Sequence, residues 1–165
     1  MKAAILAALA SVAAATGTIT IKNNCQGAIG IQIDSQGTQG QSQVIQAGGN
    51  METDLSGAPG QAVKFSTSGD FAHPISFDYT IDYQDGKVYY DVSDVAGHPL
   101  DVYVKPADDS CPEVSCPASW PTSVCNQPRT CYPSSNYVIE LCESTHSTIT
   151  KARMRRSVKM AAGML

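Results

Sequence analysis

The sequence predicts an all-β fold, a sandwich or flattened barrel of short strands with disulfide-tied loops. Three observations carry that reading. Between Thr18 and Tyr103, short runs of alternating apolar and polar side chains are separated by Gly, Asn, Asp, Ser and Pro, the pattern of strands joined by turns. No window shows a convincing apolar period of 3.6. Six cysteines, Cys25, Cys111, Cys116, Cys125, Cys131 and Cys142, form an even set, which implies three disulfides in an oxidising compartment, with fifteen pairings open on count alone. A zinc site is the weaker reading of the central four, because no Cys-x-x-Cys pair is present.

Taken in order, the chain of 165 residues opens with Lys2 and an Ala-rich apolar run from Ala3 to Ala15. A charged start, an apolar stretch and small residues before Thr16 make residues 1–15 an expected secretory signal peptide, too short to span a bilayer. Residues 16–142 are then one domain of ordinary size. Thr18–Lys22 and Ala28–Ile33 alternate as strands, Gln61–Ser66 is a third candidate, and Gln36–Gln46 is a connection or an edge. From Pro106 to Pro133 the chain is rich in Pro, Ser and Cys, as in a tied loop. Tyr137–Leu141 returns to a strand, and residues 143–165 form a basic tail expected to be disordered or processed, with a dibasic site at Arg153-Met-Arg-Arg156.

Composition excludes several classes. Apolar residues make up 42% of the chain and charged ones 16%, which is not a disordered composition, and no run after the leader is long enough for a membrane helix. From Thr16 to Cys142, fourteen acids face five bases, a net −9, whereas the tail carries +4. An acidic body with Arg129 as its one arginine does not suit a phosphate backbone, so no nucleic-acid partner is expected. Membrane contact through the basic tail is the lesser alternative to a solvated terminus. No Asn-x-Ser/Thr sequon, nucleophile elbow, His-Glu-x-x-His or phosphate-binding glycine loop occurs. A monomer is expected, needing no cofactor and no metal. His73 and His98, each before a proline, are expected loop residues. Trp120 is expected to anchor the Cys-rich segment.

Ser76–Val92 is the most informative stretch. Asp85-Gly86 predicts a two-residue type I′ hairpin, pairing Tyr83 with Val88, Ile81 with Tyr90 and Thr80 with Asp91. One face then carries Phe77, Tyr79, Ile81, Tyr83, Val88, Tyr90 and Val92. The other carries Asp78, Thr80, Asp82, Lys87, Tyr89 and Asp91. A split of this kind sends one face to a core and leaves the other for solvent or a ligand. Asp78 would be the diagonal neighbour of Asp91, about 7–8 Å away.

These residues resemble a known family. Thr18-Ile-Thr-Ile-Lys-Asn-Asn-Cys25 looks like the first strand of thaumatin-like proteins. Asp78-Tyr-Thr-Ile, Tyr90-Asp-Val-Ser93, Val95-Ala-Gly97 and Pro99-Leu-Asp-Val-Tyr-Val-Lys-Pro106 follow their central pattern. Cys111-Pro-Glu-Val-Ser-Cys116 and the run from Cys131 to Cys142 resemble their closing part. The match spans most of Thr18 to Cys142 in order. It implies the antiparallel β-sandwich of thaumatin-like domain I and the pairing Cys25–Cys142, Cys111–Cys131 and Cys116–Cys125. In the loop-entropy picture these bonds stabilise by about 5, 3 and 3 kcal/mol at most. The family's disulfide-rich second domain is missing between Cys116 and Cys125, so the chain resembles a reduced form, similar to small secreted fungal members.

The resemblance also implies an acidic cleft linked to β-1,3-glucan, here Asp78, Thr80, Asp82, Tyr89, Asp91 and Asp94, with Tyr103 a further aromatic candidate. Asp78 stands where the family has Glu, Asp91 matches its first cleft Asp, Ala96 replaces the next, and the family's Arg is absent. As a catalytic pair, Asp78 and Asp91 at the diagonal spacing suit inverting hydrolysis, which needs carboxyls about 6.5–9.5 Å apart. As ordinary members of a polar sheet face they need no such role, and weak Ca²⁺ binding by Asp78, Asp82, Asp91 and Asp94 is a minor reading. The expected function is therefore binding by a secreted, extracellular protein, to cell-wall β-glucan or a plant surface or receptor protein. Its expected role is that of a fungal elicitor or effector of plant defence and hypersensitive cell death. The alternative is a weak endo-β-1,3-glucanase or an antifungal protein.

Overall fold

In the computed structural model, residues 17–57, 59–94, 100–118 and 125–142 are described. The expected signal peptide, the tail, Ala96, His98 and Trp120 lie outside these residues. Eleven strands are present among the described residues: β1 Thr18–Asn23, β2 Ile29–Asp34, β3 Ser42–Ile45, β4 Asn50–Asp54, β5 Gln61–Ser66, β6 Ile75–Asp82, β7 Lys87–Ser93, β8 Val102–Pro106, β9 Val114–Cys116, β10 Arg129–Cys131 and β11 Tyr137–Leu141. They form two sheets, one in the order β4-β1-β11-β8-β9 (sheet A) and one in the order β10-β7-β6-β5-β2-β3 (sheet B). No helix occurs among the described residues.

Alternation decides the layering. In β1, Ile19 and Ile21 are fully buried while Thr18, Thr20 and Lys22 are not, because successive side chains of a strand point to opposite faces. Ile139 of β11 and Val104 of β8 complete the inner face of sheet A, and Phe65, Phe77 and Val92 meet them from sheet B. The rings of Phe77, Tyr79, Tyr90 and Tyr137 pack together, the Tyr90–Tyr137 pair edge-on with centroids 5.2 Å apart, one of the arrangements that aromatic quadrupoles favour. Two of the three hydroxyls have partners: Tyr90 donates to the Pro112 carbonyl and Tyr79 accepts from the Ser56 amide, while the buried Tyr137 hydroxyl has none among the described residues.

The pairing is antiparallel throughout with one exception. β1 and β11 run parallel, with Asn23 opposite Leu141. Side by side and pointing the same way, they deliver Cys25 and Cys142 to the same end of the sheet, where the two are bonded with Cα atoms 5.0 Å apart. The other bonds are Cys111–Cys131 and Cys116–Cys125, so all three are the pairs the resemblance implies. The Asn-Asn-Cys motif has a structural reason as well. Asn23 is fully buried, donates to the carbonyls of Gly27 and Ile45, and accepts from the Cys25 amide.

The hairpin register differs from the two-residue prediction. β6 and β7 pair Ile81 with Val88, Tyr79 with Tyr90 and Asp78 with Asp91, leaving a four-residue turn, Tyr83–Gly86. Gly86 has φ of 68°, but Asp85 has no positive φ, and a type I′ turn needs both. Instead Asp82 accepts from the Gln84 amide and Asp85 from the Lys87 amide, so carboxylates hold the turn open. The slip is an even number of residues, so the two faces keep their members. Only Tyr83 leaves the inner face, entering the turn at 58% exposure.

Candidate functional site

The outer face of sheet B gathers most of the polar residues singled out in the sequence. Rows of directly opposed residues run across it: Thr80 with Tyr89, Asp82 with Lys87, and Asp91 with Asp78, Ala62 and Asp34 in turn. Asp78 and Asp91 are therefore face to face and not diagonal. Their Cβ atoms stand about 4.5–5.5 Å apart by sheet geometry, so the diagonal basis for an inverting arrangement is corrected by the register.

Both carboxyls are half-buried and sit above the usual carboxylate range. Burial is the main cause for Asp78, opposed by the Ser76 hydroxyl, reinforced by the Asp91 charge, and opposed again by Lys64. Burial also raises Asp91, against the pull of Arg129. Asp34 behaves differently: burial acts upward, yet Lys64, the Gly40 amide and Gln32 together hold it below its ordinary value. Lys64 is bonded to Asp34 at 2.6 Å, so the lysine nearest the pair already has a carboxylate partner.

Beside the pair lies a shallow recess of about 340 Å³ lined by Gly60, Gln61, Ala62, Asp78, Tyr79, Thr80 and Tyr89. Tyr89 is 39% exposed, and its hydroxyl donates to Asp85 at 2.5 Å, which fixes the ring beside the opening and raises its pKa. One buried polar atom in this wall, the acceptor Asp78 Oδ1, has no hydrogen-bond partner among the described residues; Gln61 Nε2 has none either, but Gln61 is opposite Tyr79 and its side chain belongs to the inner face. Buried polar groups are nearly always paired, so an orphaned carboxylate oxygen at the recess marks it as a place for a ligand donor.

Two sequence candidates fall elsewhere. Asp94 follows β7 and is fully buried, its carboxylate within 4.8 Å of the sulfurs of Cys116 and Cys125 and away from the outer face. Those sulfurs are bonded to each other, so this trio is not a metal site. Tyr103 belongs to β8 of sheet A, opposite Glu140 and Ser115, and is 6% exposed. Conversely, Lys64, Asp34, Gln61 and Gly60 join the site unannounced. The alternation of β5 marks Lys64 as outward-facing, but nothing local says that β5 lies between β6 and β2.

Comparison with known proteins gives the family. The sequence profile described as Bys1, Blastomyces yeast-phase-specific protein, matches residues 6–143. The chain belongs to the Bys1 family. A search of curated proteins by sequence finds no match. Among solved structures, this Bys1-family chain is similar to the protein elicitor MoHrip2 from Magnaporthe oryzae, with a TM-score of 0.65 and 21% identity over 76% of this chain and 98% of the other. It is also similar to the thaumatin-like xylanase inhibitor TLXI, with a TM-score of 0.61 and 14% identity over 75% of this chain and 98% of the other. At these identities the likeness is one of fold. The Bys1-family chain thus has a thaumatin-like β-sandwich, and both neighbours are covered almost end to end.

Proposed function

We propose that this Bys1-family chain is a secreted protein that acts by binding, with the recess between β5, β6 and β7 as its contact surface, and that it elicits plant defence. The observation that carries the binding reading is the unpartnered buried carboxyl oxygen Asp78 Oδ1 in the wall of the recess, with Asp91 directly opposite and Tyr89 exposed at its rim. A ligand rich in hydroxyl groups suits this wall. Its hydroxyls would bond Asp78, Thr80 and Asp91, and a sugar ring would lie against Tyr89, whose face is flat and apolar. Cell-wall β-1,3-glucan and a host surface molecule are the two targets of this description. The elicitor role leans on the fold shared with a protein named an elicitor. Three disulfides suit the oxidising exterior that the leader sequence implies.

Weak glucan hydrolysis by Asp78 and Asp91 is the second reading. Burial raises both facing carboxyls, and an acid and a base would be drawn from this pair. One experiment separates the two. The protein and an Asp78→Asn/Asp91→Asn variant are incubated with insoluble β-1,3-glucan, and the pellet and released sugar are both assayed. Retention of the wild type, lost in the variant and without released sugar, is expected. Released sugar that disappears in the variant would replace binding by catalysis. Absence of both, with a leaf response intact in the variant, would move the contact to a protein receptor and away from this recess.

A further inference from the structure

A sandwich of two open sheets has four edge strands, here β4 and β9 in sheet A and β10 and β3 in sheet B. Exposed edges invite pairing with another chain, and proteins block them with charge, proline or short length. β4 carries the exposed acids Glu52 and Asp54. β9 is three residues long, flanked by Pro112, the exposed Glu113 and Pro117, and tied by Cys116. β10 is three residues long, begins with Arg129, sits between Pro128 and Pro133, and is tied by Cys131. β3, four residues long, has neither charge, proline nor a disulfide. Between Asp34 and Glu52 the chain contains no charged residue and no proline, Ser42, Gln43 and Val44 are exposed, and Val44, at 62%, is the most exposed large apolar side chain among the described residues.

We propose that β3 is the edge through which two copies of this chain pair, strand against strand, joining their six-stranded sheets into one. A second copy is the occupant the charges favour. The body is strongly acidic, so symmetric pairing through β4 would set Glu52 and Asp54 against their own counterparts, whereas β3 brings no like charges together. Antiparallel pairing is compatible with a two-fold axis, and an even register keeps Val44 on the same face as its counterpart. A four-residue edge buries less than a standard interface, so the association is weak, superimposed on the monomer expected from the sequence.

Sedimentation velocity of the disulfide-bonded protein over a concentration series tests this. The expected result is a reversible monomer–dimer shift that Val44→Lys, which opposes two ammonium groups, weakens by about tenfold or more with the melting temperature unchanged. Gln43→Lys should act likewise, and Asp54→Lys at an exposed position on β4 should leave the shift intact. A monomer at every concentration, or a dimer equally strong in both β3 variants, would overturn the proposal.

Discussion

Asp78 and Asp91 oppose each other across β6 and β7 with both carboxyls raised, and the direction of their effect on stability follows. A group whose native pKa exceeds its unfolded value binds more protons when folded, so its contribution to stability falls as pH rises through that window. Asp34, held low beside Lys64, works the opposite way and loses its contribution as the solution becomes acid. Near neutral pH the facing pair is therefore a cost carried by the fold. Asp78→Asn/Asp91→Asn is expected to raise stability at pH 7 by up to about 1 kcal/mol and to flatten the decline between mildly acid and neutral pH. Urea denaturation across that range measures it, and a less stable variant at pH 7 would show that the two charges are held by stronger partners than those described. Coupled to the glucan assay, a variant that is more stable yet no longer retained would display the usual conflict between a site and its scaffold.

At the scale of elements, the strands divide by how they announce themselves. β1, β2, β5, β6, β7 and β11 alternate strongly and were legible in the sequence. β4, Asn-Met-Glu-Thr-Asp, is poor in strand-forming residues and is a strand because β1 offers it five partners in register. β9 and β10, inside the Cys-rich segment, are likewise made by pairing with β8 and β7. The hairpin failed at the turn: Asp85-Gly86 marked the place correctly, but the carboxylates of Asp82 and Asp85 capture the local amides and lengthen the loop. Gly40, in the β2–β3 connection, is another such local constraint. A Cβ there would lie 1.8 Å from the Ile33 carbonyl oxygen, and its amide bonds Asp34. Gly40→Ala is expected to destabilise by about 1–3 kcal/mol, in the range of overpacking, by moving β3 off β2. Denaturation gives the loss, and hydrogen exchange should place it in β2 and β3; unchanged protection there would contradict the account.

For the whole molecule, the parallel pair β1–β11 joins the two ends of the described domain, and Cys25–Cys142 locks it across a separation of 117 residues. Cross-links over long loops restrict the unfolded chain most, and removing such a bond costs about 2–5 kcal/mol. Cys25→Ala/Cys142→Ala is accordingly expected to lower stability by that amount, while the shorter Cys111–Cys131 and Cys116–Cys125 bonds keep the Cys-rich segment in place. Calorimetry reads the first effect, and a variant as stable as the parent would mean that the native end-to-end packing does not depend on the bond. By itself the sequence determined the all-β class, the inner and outer faces of the central hairpin and an acidic outer face, because period-two alternation is a local property that survives any even slip. Only the tertiary structure decided that Asp78 meets Asp91 head-on, that Lys64 and Asp34 lie beside them, that Asp94 turns to a disulfide and Tyr103 to the other sheet, and that β3 is left as an unguarded edge. Those facts depend on which strands become neighbours, and neighbours are chosen by burial and backbone pairing between segments far apart in the chain.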